Sequence, residues 1–271
     1  MKNKYTHLII LDFEATCDEK DPPKPQEIIE FPSVLLSLNS YQTVDEFQAF
    51  VRPVHNPQLT DFCKTLTSIQ QSDLDQAKIF SDVLLDHIKW LESHGLDETN
   101  SLIVTCGDWD MANMFPAQCL VSQVEDLSPV YTSWMNIKKP YCKVMETQKA
   151  AGMAGMLRQL GLKLIGHHHR GIDDCRNIAE IAKVLLKKGA EASITGTLAL
   201  NKYPPLTLNL TLGEKTETAV LKIRNISSLY GLIGKVFKCR VTKLKLSDGK
   251  VIESDEGLRY LNSGQEIVLS T

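Results

Sequence analysis

The sequence lacks most of the features that place a chain in a membrane or outside the cell. No apolar run approaches the roughly 20 residues an α-helix needs to cross a bilayer, so no helical span is expected. The first seven residues lack the apolar core and small-residue cleavage site of a secretory signal. The seven cysteines (17, 63, 106, 119, 142, 175, 239) are odd in number and contain no Cys-x-x-Cys pair. That argues against a disulfide framework or structural zinc site and for a reducing compartment. The expected setting is intracellular, cytoplasmic or nuclear, and not secreted. There is no internal repeat and no low-complexity tract. Neither sign of charge dominates, and a net charge of −3 gives no global pull on nucleic acid. A local basic patch or a metal can still supply one. What is present is an ordinary globular composition, 43% hydrophobic and 23% charged. Its 271 residues suffice for one large domain, or a large one and a small one.

The chain is organised around Leu8-Ile9-Ile10-Leu11-Asp12-Phe13-Glu14-Ala15-Thr16. The aliphatic residues suit a strand buried on both faces. Where that strand reaches the edge of the core, Asp12 and Glu14 alternate and so share a face. Two adjacent anions repel, and burying them unpaired is costly. A divalent cation between them removes the conflict. The plain alternative is a polar strand end with Asp12 capping a turn.

Further along, Cys17 to Gln26 is a polar loop bearing three prolines. Glu27–Leu38 and Tyr41–Val51 read as two more strands, the second antiparallel to its neighbour. A short helix is expected from Thr60, with Ser72 as a candidate cap for a further turn. Phe80–His94 is an amphipathic helix with Gly95 as its stop. Ser101–Cys106 reads as a buried strand, followed by Gly107-Asp108-Trp109-Asp110 and a helix. Ser128–Tyr141 reads as turn and extended chain. Helices are expected over Lys143–Ala151, Met153–Leu160 and Ile172–Lys188. A meander followed by helices and parallel strands indicates an α/β fold with a mixed sheet.

After about Thr197 the pattern changes. Leu206–Leu212 alternates apolar and polar residues, as a half-buried strand does. Glu217–Arg224, Lys235–Leu246 and Gln265–Leu269 also read as strands, with Ser247-Asp248-Gly249 as a hairpin turn. The expected division is 1–196 and 197–271, with the linker in Asn201–Pro205 and a small antiparallel β domain beyond it. Residues 197–271 carry eleven Lys/Arg against seven Asp/Glu, about +4, so the preceding part carries about −7. Lys238 and Arg240 alternate with Phe237, Cys239 and Val241. A basic strand face of that kind suits nucleic-acid or partner binding, and equally a solvated outer face.

Carboxylates recur at the expected ends of elements: Asp12 and Glu14, Asp108 and Asp110, Asp173 and Asp174. In open α/β sheets such ends line the ligand crevice. Carboxylates converging there suit Mg2+ or Mn2+, which prefer oxygen ligands. Two such ions would clamp the attacking and leaving oxygens of a phosphodiester. A nearby histidine would supply a base titrating near neutrality.

This constellation resembles the DEDDh family of 3′→5′ exonucleases. Asp12-Phe13-Glu14 matches its first motif, Trp109-Asp110 its second, and His169 with Asp174 its H-x4-D motif. Asp12-Phe13-Glu14-Ala15-Thr16-Cys17, Glu27-Ile28-Ile29-Glu30-Phe31-Pro32 and Gly171-Ile172-Asp173-Asp174 are similar to the enhancer-of-RNA-interference, or 3′ histone mRNA exonuclease, branch. The resemblance covers roughly residues 6–190. It implies a ribonuclease H-like mixed sheet flanked by helices. It also implies Asp12, Glu14, Asp110 and Asp174 as ligands of two Mg2+ or Mn2+ ions, and His169 as general base. The implied reaction releases nucleoside 5′-monophosphates from single-stranded or overhanging 3′ ends, RNA in preference to DNA. Phe13, Ala15 and Thr16, with Leu66, Thr67 and Ile69, become the substrate-contact candidates. Ser68 stands in that loop where the family usually has glycine.

Alternatives remain at three positions. Asp108 competes with Asp110, but it precedes the aromatic residue. Asp173 and Asp174 cannot share one helix face, and Asp173 reads as an N-terminal helix charge. The triplet His167-His168-His169 could itself be a transition-metal site, or His167 and His168 could be solvated loop residues beside the base. His87, Trp90 and Trp134 read as packing residues. A catalytically inactive adaptor is the rival function.

Overall fold

The computed structural model describes residues 4–124, 127–198, 206–221, 226–239, 241–252 and 265–270. The chain divides into two compact units, 1–198 and 199–271. The linker expected over Asn201–Pro205, and Arg240, lie outside the described residues.

The first unit is a mixed sheet between two layers of helices. β1 (His7–Leu11) is buried on both faces. Leu8 and Ile10 enter one core and Ile9 and Leu11 the other, as the two-residue period of a strand requires. After the short β2 (Glu14–Ala15), β3 (Ile28–Ser37) and β4 (Thr43–Phe50) complete an antiparallel meander. β5 (Ser101–Thr105) pairs parallel to β1, and β6 (Ser133–Asn136) parallel to β5. β7 (Gly196–Thr197) closes antiparallel on β6. β1, β5 and β6 therefore end at the same edge, where an open α/β sheet places its ligand crevice.

α1 (Asp61–Thr67) starts at the Thr60 cap, whose hydroxyl accepts the Cys63 N–H. α2 (Gln71–Asp75) is capped by Gln70 with Asp73, and the expected Ser72 cap lies inside it. α3 (Phe80–Ser93) covers one face of the sheet with Val83, Leu84 and Leu91. The chain then makes a wide turn, Asp110–Met114, in which Phe115 N–H reaches back five residues to the Asp110 carbonyl. Pro116 at the start of α4 (Phe115–Val121) has no N–H to continue the ordinary four-residue ladder.

α5 spans Lys138–Val144, so of the helix expected over Lys143–Ala151 only Lys143 and Val144 are helical. Pro140 falls in the first turn of α5, where its missing N–H has no helical partner to lose. α6 (Met153–Gln159) and α7 (Gly171–Lys187) pack on the other face.

The second unit differs from an all-antiparallel β domain. β8 (Leu206–Leu212) and β9 (Lys215–Leu221) form a hairpin. Ile226–Phe237 is a helix, α8, so the strand expected from Lys235 begins only at β10 (Lys243–Leu246). β11 (Gln265–Ser270) lies between β10 and β8, antiparallel to the first and parallel to the second. Leu229 and Ile233 of α8 pack with Leu208, Leu210, Ile267 and Leu269.

Candidate active site at the strand ends

Asp12 follows β1 directly, and Glu14 stands in β2 opposite Glu30 of β3. Asp110 opens the wide turn after β5 and accepts the Phe13 N–H on Oδ1 at 3.0 Å. That bond ties the end of β1 to the second motif across 97 positions of sequence. Asp174 lies in the first turn of α7. Glu14, Asp110 and Asp174 are buried.

One oxygen from each of Asp12, Glu14 and Asp174 lies within 4.8 Å of the others. Burial raises all four carboxyl pKa values: Asp12 well above the usual range, Glu14 to about 10, Asp110 to about 6, and Asp174 upward. Mutual repulsion adds to the effect at Asp12, chiefly from Asp110 and Asp174, and at Glu14, chiefly from Asp12. Lys138, the first residue of α5, opposes the rise at Asp12 and Asp110. An all-oxygen cluster that resists ionising on its own fits a hard divalent cation, which removes the repulsion.

The H-x4-D segment brings more than one histidine to Asp174. His169 is exposed and has a left-handed backbone (φ 69°), and its N–H donates to Asp174 Oδ2 at 3.0 Å. Partial burial, reinforced by His168, holds the His169 imidazole below 6.5. His168 is not the solvated loop residue expected. Its Nδ1 lies 3.1 and 3.2 Å from the two Asp174 oxygens, and its ring stacks on His169 at 3.9 Å. His168, His169 and Asp174 thus form a second group of converging ligand atoms. His167 turns away: its N–H donates to Asp173, which also accepts from Arg176, and its Nδ1 lies 3.4 Å from Ser68 Oγ. Asp108 accepts from Trp134 Nε1 and Asn136 Nδ2, both at 2.9 Å, so its oxygens are engaged away from the cluster.

Of the substrate-contact candidates, Phe13, Ala15, Thr16, Thr67 and Ile69 are buried and Leu66 is half-buried. Phe13 packs edge-on to Phe31 and parallel to Phe115. Thr67 Oγ1 donates to the Cys63 carbonyl and accepts the Ile69 N–H. Ser68 adopts φ 62°, the left-handed backbone that glycine takes most readily.

Glu30 was not legible as a site residue. Buried in β3, it accepts the Gly171 N–H at 2.9 Å and the Ile172 N–H at 3.3 Å, fixing the start of α7. Gly171 is needed for that approach, because a Cβ there would lie 2.8 Å from the Asp12 carbonyl oxygen. Glu27 likewise binds the backbone N–H groups of Val54, His55 and Asn56. The signal available was a pair of glutamates, Glu27 and Glu30, at the start of an apolar strand. His87 is a packing residue, buried between Ser33 Oγ and the Tyr131 hydroxyl, with its pKa lowered by burial to about 3.

A family model described as exonuclease (RNase_T) matches residues 9–182. The chain is 41% identical over 188 residues to human ERI1 exoribonuclease 3, covering 69% of this chain and 55% of that protein. It is 39% identical over 193 residues to human 3′-5′ exoribonuclease 1, covering 70% and 55%. The chain therefore spans about half the length of the curated relatives it matches. Among solved structures, the nuclease domain of 3′hExo, a DEDDh family member bound to rAMP, superposes with a TM-score of 0.68 at 38% identity. That match covers 72% of this chain and all but 2% of the other. A structure described as 3′-end-specific recognition of histone mRNA stem-loop by 3′-exonuclease gives 0.68 at 34% identity, covering 80% and 92%.

Proposed function

The chain belongs to the DEDDh exonucleases, a family that uses divalent metal ions, and on that footing we propose that it is a 3′→5′ exoribonuclease. It removes nucleoside 5′-monophosphates from single-stranded or overhanging 3′ ends and favours RNA over DNA. The observation that carries this reading is the convergence of Asp12, Glu14 and Asp174 oxygens within 4.8 Å, with Asp110 tied to the same strand end and His169 beside Asp174. Nothing in that geometry selects the sugar, and the RNA preference is supported by the relatives, which are exoribonucleases.

Asp12, Glu14, Asp110 and Asp174 would hold the metal, proposed as two Mg2+ or Mn2+ ions. When bound, divalent ions supply Lewis-acid polarisation of the phosphate and stabilise charge on the attacking and leaving oxygens. The protein's own part is orientation and proton transfer. His169 accepts the proton of the attacking water at its imidazole, which is neutral at physiological pH given its lowered pKa. Phe13, Ala15, Thr16, Leu66, Thr67 and Ile69 border the terminal nucleotide, the buried ones through backbone and edge. Lys138 adds a cation beside the carboxylates. An intracellular setting, cytoplasmic or nuclear, is part of the proposal and agrees with seven unpaired cysteines. No helix among the described residues is long and apolar enough to cross a membrane.

The test uses purified protein and 5′-labelled 3′-overhang RNA and DNA with Mg2+, with Mn2+ and with chelator. A metal-dependent ladder shortening from the 3′ end, stronger on RNA, is expected. Absence of a ladder with either ion would overturn the reading and favour an adaptor.

A further inference from the structure

Two groups of converging ligand atoms occur among the described residues, and they differ in chemistry. Asp12, Glu14 and Asp174 offer oxygen alone, which suits Mg2+ or Mn2+. His168, His169 and Asp174 offer two imidazoles and a carboxylate, again within 4.8 Å of one another. Imidazole nitrogen suits Zn2+ and its transition-metal neighbours, whereas Mg2+ keeps to oxygen. The proton transfer given to His169 has no use for a second imidazole.

The spacing is that of a zinc site. Ligand atoms at about 2.0–2.1 Å from a tetrahedral ion stand roughly 3.3 Å apart. His168 Nδ1 lies 3.2 and 3.1 Å from the two Asp174 oxygens. The His168 and His169 rings lie face to face, with centroids 3.9 Å apart and planes 14° from parallel, so the second imidazole stands beside the first. The His169 N–H fastens the group together, reaching Asp174 Oδ2 at 3.0 Å and His168 Nδ1 at 3.1 Å. Asp174 is buried, His168 half-buried and His169 exposed, so an ion arriving from solvent meets the imidazoles above a carboxylate floor. Three protein ligands with a fourth position left to water is a usual form of an accessible zinc site. His167 takes no part, because its Nδ1 faces Ser68 Oγ.

From this convergence we infer that His168, His169 and Asp174 form an inhibitory site for Zn2+. The ion occupies the lone pair with which His169 accepts a proton. It also draws on Asp174, which belongs to both groups, so Zn2+ opposes Mg2+ through a shared carboxylate. The inhibition rests on the proposed exonuclease reading; the site itself does not.

The experiment has a binding arm and a rate arm, both on the full chain. In the first, Co2+ is added without Mg2+ and the visible spectrum is recorded. A four-coordinate site with imidazole ligands gives Co2+ an intense band, and an octahedral all-oxygen site only a weak one. The intense band is expected in the wild type, is displaced by one equivalent of Zn2+, and is lost in both His168→Asn and His169→Ala, with circular dichroism showing that both fold. Asparagine keeps a hydrogen-bonding atom near the place of Nδ1, so His168→Asn separates ligation from the hold on Asp174. In the second arm, Zn2+ is titrated into the cleavage reaction with each protein at its own saturating Mg2+. The midpoint of inhibition should rise about tenfold or more in His168→Asn, the cost usual even for a partner one bond removed from a metal. A full band in both variants would overturn the inference. So would a thiolate charge-transfer band, which would give the ion to cysteine, or an unchanged inhibition midpoint in His168→Asn. The two proposals fail separately: a missing ladder defeats the exonuclease reading, and the Co2+ spectrum still decides the site.

Discussion

His168 Nδ1 lies 3.1 Å from Asp174 Oδ2, the same oxygen that accepts the His169 N–H at 3.0 Å. Two consecutive residues of one loop thus hold a carboxylate on the first turn of α7. Partners of this kind orient a ligand before the ion arrives, and losing one typically costs 10- to 100-fold in metal affinity. His168→Ala should therefore raise the Mg2+ concentration for half-maximal rate roughly tenfold while leaving the saturated rate near wild type. A Mg2+ titration of initial rate checks it, and an unchanged midpoint would remove His168 from the site.

The carboxylate cluster predicts how stability depends on pH. Asp110 is raised to about 6 and Glu14 to about 10 in the fold, chiefly by burial, whereas the unfolded groups titrate near about 4. Between those values the folded state binds more protons, so stability falls as pH rises. In chelator, the melting temperature of the first unit should drop from pH 5 to pH 8. Added Mn2+ should restore it at pH 8 and do little at pH 5. Asp12→Asn should raise it in chelator while abolishing activity. Thermal scans of the two proteins across that range decide the matter.

The lowered pKa of His169 fixes the acid side of the rate profile. A base held below 6.5 stays unprotonated to lower pH, so the acid limb of kcat/KM should have its midpoint below 6.5. His169→Ala should lose about two to four orders of magnitude in rate, the contribution usual for a positioned general base, while still folding. A pH series on a short RNA, with circular dichroism of the variant, measures both.

Gly171 sets the start of α7 close against Asp12, the residue after β1. A methyl group there would lie 2.8 Å from both the Asp12 carbonyl oxygen and Pro32 Cγ. Overpacking of this kind costs about 1–3 kcal/mol. Gly171→Ala should lower stability by that amount and also lower kcat, because the same displacement moves Asp174 away from Asp12. Urea denaturation and steady-state kinetics on one preparation test the coupling. A stable variant with full kcat would show that the helix can move without cost.

The carboxylates Asp12 and Glu14 were legible because charge at the end of an apolar strand contradicts its surroundings, whereas Asp110 and Asp174 were singled out by the motifs that resemble the DEDDh family. The meander and the amphipathic helices were legible through their periods. Glu30 was hidden because its partners, Gly171 and Ile172, are backbone groups more than a hundred residues away, and backbone partners leave no mark in sequence. His168 was hidden because the H-x4-D spacing singles out its neighbour. α8 was missed because Phe237, its last residue, and Cys239 and Val241 beyond it imitate strand alternation. The parallel pairing of β8 with β11 joins segments some fifty residues apart, and no local pattern announces such a partner.

The position of β11 between β10 and β8 also governs how the second unit can be made. A ribosome that has produced β8, β9, α8 and β10 has not yet supplied the strand that lies between β10 and β8. Until Gln265–Ser270 emerges, β8 and β10 each present an open edge, the template on which chains aggregate. Removing those six residues, or crowding them with a fused tag, therefore amounts to taking out the middle of a sheet. Expression yield should respond far more to changes there than to changes of similar size in the loop around Asp248.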